Sequence, residues 1–200
     1  MNPLQWAKAE ILHLAWKRGH WMPPDRRLLA EEILPLLAAS NEVKRVLSVG
    51  VAWYTKDYEA PFAKAQKTFM TLEIDPERAV FGSTQKHVTG DVCELDKLFA
   101  GEEPFDVILM NGVIGYGIDT VDLLERALVA SAARLRKGGL LVLGVNEEKP
   151  THVDPMSAPS AKALFLPRHD LFFSKWPDGR VTVEVPFREK NHTFLFWTKR

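Results

Sequence analysis

The sequence predicts an α/β fold: a doubly wound, mostly parallel seven-stranded sheet with helices on both faces and a C-terminal antiparallel strand pair. Two observations carry this expectation. Short apolar runs alternate with helical segments from Arg45 to Val145, the order expected when parallel strands are joined through crossover helices. Near the C-terminus, Arg180 to Val185 and Thr193 to Trp197 form two strand-like runs joined by a Pro-containing connection, which reads as an antiparallel pair.

The elements follow in order. Leu4, Ala7, Ile11, Leu14 and Ala15 recur at helical spacing before Gly19, and Leu28 to Leu37 form a second amphipathic helix after Pro23-Pro24-Asp25. Next come a strand at Arg45–Val49, a helix at Tyr58–Ala65, a strand at Thr68–Ile74, a helical turn at Pro76–Phe81 and a strand at His87–Thr89. Glu94–Phe99 is helical, Phe105–Met110 a strand, Asp119–Leu135 a long helix and Leu140–Val145 a strand. Lys137-Gly138-Gly139 is expected to end the long helix, and the unbroken apolar run after it suits a strand buried on both faces. Between Glu147 and Pro167 four prolines recur among small and polar residues, which discourages a long helix and predicts a loop, or a lid.

Two hundred residues suit one domain. It divides into N-terminal cap helices (1–42), a core (43–146), the proline-spaced loop (147–170) and the C-terminal strands (171–200). The chain is 46% hydrophobic, and 26 basic side chains balance 26 acidic ones, so nucleic acid is not the expected partner. Small basic clusters, Arg26-Arg27 and Arg134, Arg136 and Lys137, sit among acids or in an expected last helical turn where cations suit the dipole, and are not read as a binding surface. Cys93 is the one cysteine and can form no internal disulfide, as in a protein of the reducing cytoplasm. Lys8, Glu10, His13 and Lys17 interrupt the first residues, leaving no apolar stretch for a signal peptide or membrane span. The six histidines show no metal-ligand spacing, so no metal site is expected.

Candidate chemistry gathers at the predicted strand ends. Val46 to Val49 runs into Gly50-Val51-Ala52-Trp53-Tyr54, a turn where a nucleotide could approach the backbone. It keeps one glycine, and bulky aromatics follow Ala52. Glu73 lies about 20 residues on, where a carboxylate can accept from both ribose hydroxyls. Asp75 precedes Pro76 and reads as a helix cap. Asp91 has two readings, adenine contact and capping box with Glu94. Asn111 to Gly117 holds three glycines, an amide and Tyr116 at the end of the fourth strand.

Together these segments resemble the class I S-adenosylmethionine-dependent methyltransferases over about Val43 to Val145. Glu73-Ile74-Asp75-Pro76-Glu77 looks like that family's second-strand end, and Thr89-Gly90-Asp91-Val92 like its adenine-contacting turn. Phe105 to Asn111 resembles its fourth strand, and Leu135 to Leu143 its passage from helix to fifth strand. The resemblance implies that S-adenosylmethionine is the cofactor, contacted by Gly50, Val51, Ala52, Glu73, Ile74, Asp91, Val92 and Asn111. It places a small-molecule substrate near Tyr54, Tyr116, His20 and Trp21; methyl transfer from a sulfonium needs mainly alignment and desolvation, so few acid-base residues are obligatory and no catalytic residue is assigned. Three other readings stand beside it: an enzyme using the same sulfonium for a different bond, a binding module whose pocket Trp53 and Tyr54 block, and a nicotinamide oxidoreductase. Thr55, where a third glycine would help, weighs against the last.

Overall fold

The computed structural model describes residues 22–147, 153–168, 175–185 and 190–200, together with Ala7, Ile11 and Leu14. Those three single residues are helical, as the N-terminal periodicity predicts, but all are exposed. The rest of the first expected helix lies outside the described residues, as do His20 and Trp21.

Pro24–Leu28, Leu29–Ile33 and Leu34–Ala39 run on as one helix, α1. Its middle turn is π-helical, with the Leu34 amide donating to the Leu29 carbonyl. Pro35 follows directly; it has no N–H to offer and its ring crowds the preceding turn, so a wider turn there is the local solution. Leu29, Ile33, Leu34 and Leu37 are buried. The sequence places this helix at 28–37; Pro24, suited to a first turn, starts it earlier.

Next in the chain are β1 (Arg45–Val49), a 3₁₀ turn (Trp53–Thr55), α2 (Ala60–Lys64), β2 (Thr68–Glu73), a 3₁₀ turn (Pro76–Phe81) and β3 (Lys86–Thr89). A 3₁₀ turn at Val92–Glu94 leads into α3 (Leu95–Leu98), then β4 (Phe105–Asn111), α4 (Val121–Arg134) and β5 (Leu135–Asn146). A 3₁₀ turn (Pro155–Ser157), α5 (Pro159–Leu164), β6 (Phe165–Pro167), β7 (Arg180–Val185) and β8 (Lys190–Lys199) complete the described chain.

The sheet order is β3-β2-β1-β4-β5-β8, with β6 and β7 both paired to the far side of β8. Strands β1 to β5 pair in parallel, and β8 runs antiparallel to β5. Among the described residues eight strands form where seven were expected, because β8 is long enough for two partners on one edge. β7 takes Lys190 to Leu195 and β6 takes Trp197 to Lys199.

Two further expectations are corrected. The proline-spaced stretch is not a plain loop, since Pro155 and Pro159 each open a helical turn, where their missing N–H costs nothing. Nor does Lys137-Gly138-Gly139 end the long helix. α4 stops at Arg134, Leu135 already pairs with Phe105, and the register slips between Phe105 and Val107. Gly138 has φ +71°, and a Cβ on Gly139 would stand 2.9 Å from the Arg136 carbonyl. The glycines therefore make a bulge inside β5.

Strand alternation sends Leu47, Met70, Ile108 and Leu141 to a core under α3, α4 and α5. It sends Val46, Phe69, Val107 and Leu140 to a second core under α1 and α2. Both faces are thus covered, which is why the central strands read as unbroken apolar runs. Strand order reverses at the β1–β4 boundary, and a crevice opens outside the carboxyl ends of the strands at such a point.

Candidate functional site

The β1 turn rests on a single glycine. Gly50 adopts φ +84°, a left-handed conformation that side chains resist, and a Cβ there would lie 3.3 Å from Val113 Cγ2. Its amide donates to the Leu72 carbonyl at 2.8 Å. The next amide, Val51, donates to Glu73 Oε2 at 2.9 Å, and the Asp75 amide donates to Oε1 at 3.0 Å. The Gly90 amide closes the third strand onto the same place by donating to the Glu73 carbonyl at 2.9 Å. So backbone bonds draw the ends of β1, β2 and β3 around one buried carboxylate, which is 6% exposed.

Each Glu73 oxygen accepts one bond, and an ionised carboxylate offers about four acceptor positions in all. Two are left for donors such as ribose hydroxyls. Asp75 caps the following turn, accepting from the Glu77 amide at 2.9 Å, as its place before Pro76 predicts. Between them Ile74 is 67% exposed, an apolar side chain beside the carboxylate and available to a flat ring.

Asp91 accepts from the Cys93 amide at 2.8 Å, so its capping role is realised. Val92 is buried in the core. Burial and the neighbouring Asp91 push the Cys93 thiol up to about 11, so it holds little thiolate at neutral pH.

Ala52 opens the 3₁₀ turn in place of a second glycine. Its amide donates to Thr55 Oγ1 at 3.0 Å, and that hydroxyl donates back to the Ala52 carbonyl at 2.9 Å. Thr55 therefore stiffens the turn that glycines would leave loose. Trp53 packs with Val51 and Phe81, and meets Tyr54 edge-on at 5.3 Å between ring centroids. The Tyr54 ring lies beneath the Arg26 guanidinium, 4.5 Å from centroid to Cζ. The two aromatics thus diverge, one toward the β2 side and one toward α1.

At the end of β4 the loop is a pinned turn. Amides of Tyr116 and Ile118 both donate to the Val113 carbonyl, Gly115 donates to Ile118, and Ile114 and Ile118 are buried. Tyr116 projects from its tip, 57% exposed. Asn111 is held from beneath: its Oδ1 lies 3.0 Å from His192 Nε2, and His192 Nδ1 lies 2.8 Å from Asn146 Oδ1. Gly144 makes room for this, because a Cβ there would stand 1.9 Å from Asn111 Oδ1.

Gly50, Val51, Glu73 and Asn111 are therefore gathered at the carboxyl ends, with Ile74, Ala52 and Asp91 beside them. Sequence reasoning missed four residues at this end: Asp25, Arg26, Asn146 and His192. Arg26 reads in the sequence as one of a basic pair among acids with no binding role, yet it is largely buried at the Gly112 turn, where a Cβ would meet its Nη2 at 3.3 Å. Asn146 and His192 meet Asn111 only through the β4–β5–β8 pairing. Among the described residues no group of acids, histidines and cysteine is arranged to hold a metal ion.

A concavity lined by Lys44, Asp106, Arg136 and Arg168 lies at the opposite, amino end of the strands. There Asp106 accepts from the Lys44 and Arg45 amides and from Arg136, and this satisfied network reads as structural.

No family model matches the chain, and no curated protein matches it in sequence. Solved structures do match in shape. The N-methyltransferase NodS from Bradyrhizobium japonicum WM9, also solved with S-adenosyl-L-homocysteine, aligns at a TM-score of 0.66 and 16% identity, over 88% of this chain and 97% of that one. The 1,6-didemethyltoxoflavin-N1-methyltransferase from Burkholderia thailandensis aligns at 0.58 and 19%, over 100% and 91%. A TehB-like SAM-dependent methyltransferase from Corynebacterium glutamicum ATCC 13032 aligns at 0.57 and 17%, over the full length of both. The chain has the class I S-adenosylmethionine-dependent methyltransferase fold.

Proposed function

We propose that this protein is an S-adenosylmethionine-dependent methyltransferase acting on a small molecule. The carrying observation is the Glu73 carboxylate, fixed by the Val51 and Asp75 amides beside the Gly50 turn with acceptor positions to spare. That arrangement fits a ribose on Glu73, an adenine against Ile74 near Asp91 and Val92, and the remainder of the cofactor along Gly50, Val51, Ala52 and Asn111. Bound there, the cofactor supplies a methyl group on a sulfonium. The chain's own part is alignment and exclusion of water, which is most of what such a transfer requires.

Tyr54 follows β1 and Tyr116 follows β4, at the carboxyl ends of the two strands where the order reverses, and they are the proposed substrate contacts. Charge balance of 26 against 26 supports a small molecule over a nucleic acid. The toxoflavin methyltransferase, solved with 1,6-didemethyltoxoflavin, is a neighbour of that kind. Among the described residues no helix is long and apolar enough to cross a membrane, and a cytoplasmic location is part of the same proposal.

Calorimetry of the chain against S-adenosylmethionine, S-adenosylhomocysteine and NAD tests this reading. Binding of both adenosyl compounds, and not of NAD, is expected. Absence of adenosyl binding would leave the blocked-module reading standing. Mass spectrometry of a turnover mixture then separates the chemistries, since release of methylthioadenosine in place of S-adenosylhomocysteine would reject methyl transfer.

A further inference from the structure

The sheet ends in two outer edges. One is β3, only four residues long and opened by the exposed Lys86, a charge of the kind that keeps an edge strand from pairing. The other carries β7, which runs for six residues without lysine or proline. Among the described residues β7 pairs with β8 alone. Antiparallel pairing fixes which way its backbone groups point. The Phe196 amide donates to the Gly179 carbonyl at 2.8 Å, so by alternation Val181, Val183 and Val185 bond to β8. Arg180, Thr182 and Glu184 then turn their N–H and C=O groups to the open edge. These three residues are exposed, and such a row of donors and acceptors is a template for another strand.

The residues along that edge specify which strand. Arg180-Val181-Thr182-Val183-Glu184 is its own complement when read antiparallel. A two-fold axis through Thr182 sets Arg180 of each copy against Glu184 of the other and Val181 against Val183, while Thr182 faces itself. This register pairs the outward residues with one another, so each of their N–H groups meets a carbonyl across the axis. Charge agrees with it, since Arg180 reaches Glu147 only at 3.5 Å and keeps its side chain 55% exposed. A slip of two residues in either direction loses both ion pairs.

We infer that β7 is a self-association edge whose partner is a second copy of this chain, docked antiparallel about Thr182 so that one sheet runs through both. The interface is independent of the function proposed above. A single strand pair is small for a specific interface, so the dimer is weak and forms with rising concentration.

Sedimentation of the full chain from micromolar to near-millimolar concentration tests this. Wild type is expected to pass from monomer to dimer. Arg180→Glu and Glu184→Arg each set like charges opposite one another, twice across the axis, and should weaken the dimer by roughly tenfold or more. Mixed together, these two variants should associate again, because every arginine then faces a glutamate. Thr182→Pro removes an outward amide that β8 does not use, so it should keep the circular dichroism of wild type and remain monomeric; it carries the test if a charge variant fails to fold. A wild type that stays monomeric throughout overturns the inference. So does a dimer that survives the charge reversals or Thr182→Pro unchanged, and so do folded charge variants that stay apart when mixed.

Discussion

The Val51 amide donates a 2.9 Å hydrogen bond to Oε2 of Glu73, joining the turn after β1 to the end of β2 through a buried carboxylate. One side chain thereby holds the shape of the β1 turn and keeps acceptor positions for a ligand. On the proposed function, a ribose would need only that single carboxylate, so the turn could serve with one glycine.

Glu73→Ala is accordingly expected to act twice. Removing the acceptor of two backbone amides lowers unfolding free energy by about 1–3 kcal/mol, read by urea denaturation. S-adenosylhomocysteine affinity falls by roughly 10- to 100-fold, as expected for lost hydrogen bonds to a charged group. Affinity equal to wild type in the folded variant would remove Glu73 from the site.

Gly144 offers a test of the support beneath Asn111. An added methyl would stand 1.9 Å from Asn111 Oδ1 and 2.9 Å from His192 Nε2, so Gly144→Ala must displace that pair. A cost of about 1–3 kcal/mol is expected from overpacking. Asn111→Ala in the same chain frees the space, and the double variant should lose less than the sum of the two single losses. Strict additivity in urea denaturation would show that the two positions are not coupled.

His87 gives the fold a pH dependence. Its Nδ1 lies 2.8 Å from Thr71 Oγ1, and burial pushes its pKa below the ordinary 6.5, with Glu73 opposing more weakly. The folded chain therefore prefers the neutral ring. Its contribution is complete above pH 6.5 and is lost as pH falls from there through the lowered folded-state value. Urea midpoints measured across that window should decline, and His87→Asn should flatten the decline. A variant whose slope matches wild type assigns the dependence elsewhere.

Much of this architecture is legible in the sequence because its signals are local. Burial of the central strands on both faces writes Val46 to Val49 and Leu140 to Leu143 as unbroken apolar runs. Asp75 before Pro76 announces its own cap. The misreadings arise where distant partners decide. Gly138-Gly139 resembles a helix stop, and only pairing of Leu135 with Phe105 turns it into a bulge. Residues 165–167 form a strand because β8 leaves an edge for them to join, which a run ending in Pro167 gives little reason to expect.

The candidate site divides in the same way. Gly50 and Glu73 are recognisable alone, since their conformation and charge suit a nucleotide at a known spacing. Arg26 and His192 are not. The one sits in a charged helical segment and the other in an alternating strand, with nothing local to mark either as buried.

By itself the sequence determined the α/β class, the order of the central elements and the acid beside the glycine turn, because hydrophobic periodicity and turn chemistry act over a few residues. Tertiary structure alone decided the sharing of the β8 edge, the path of Trp53 and Tyr54, and the burial of Asp25 and Arg26 against the β4 turn. Those depend on which distant surfaces meet, and the desolvation that gives a charged pair its chemical meaning exists only once they do.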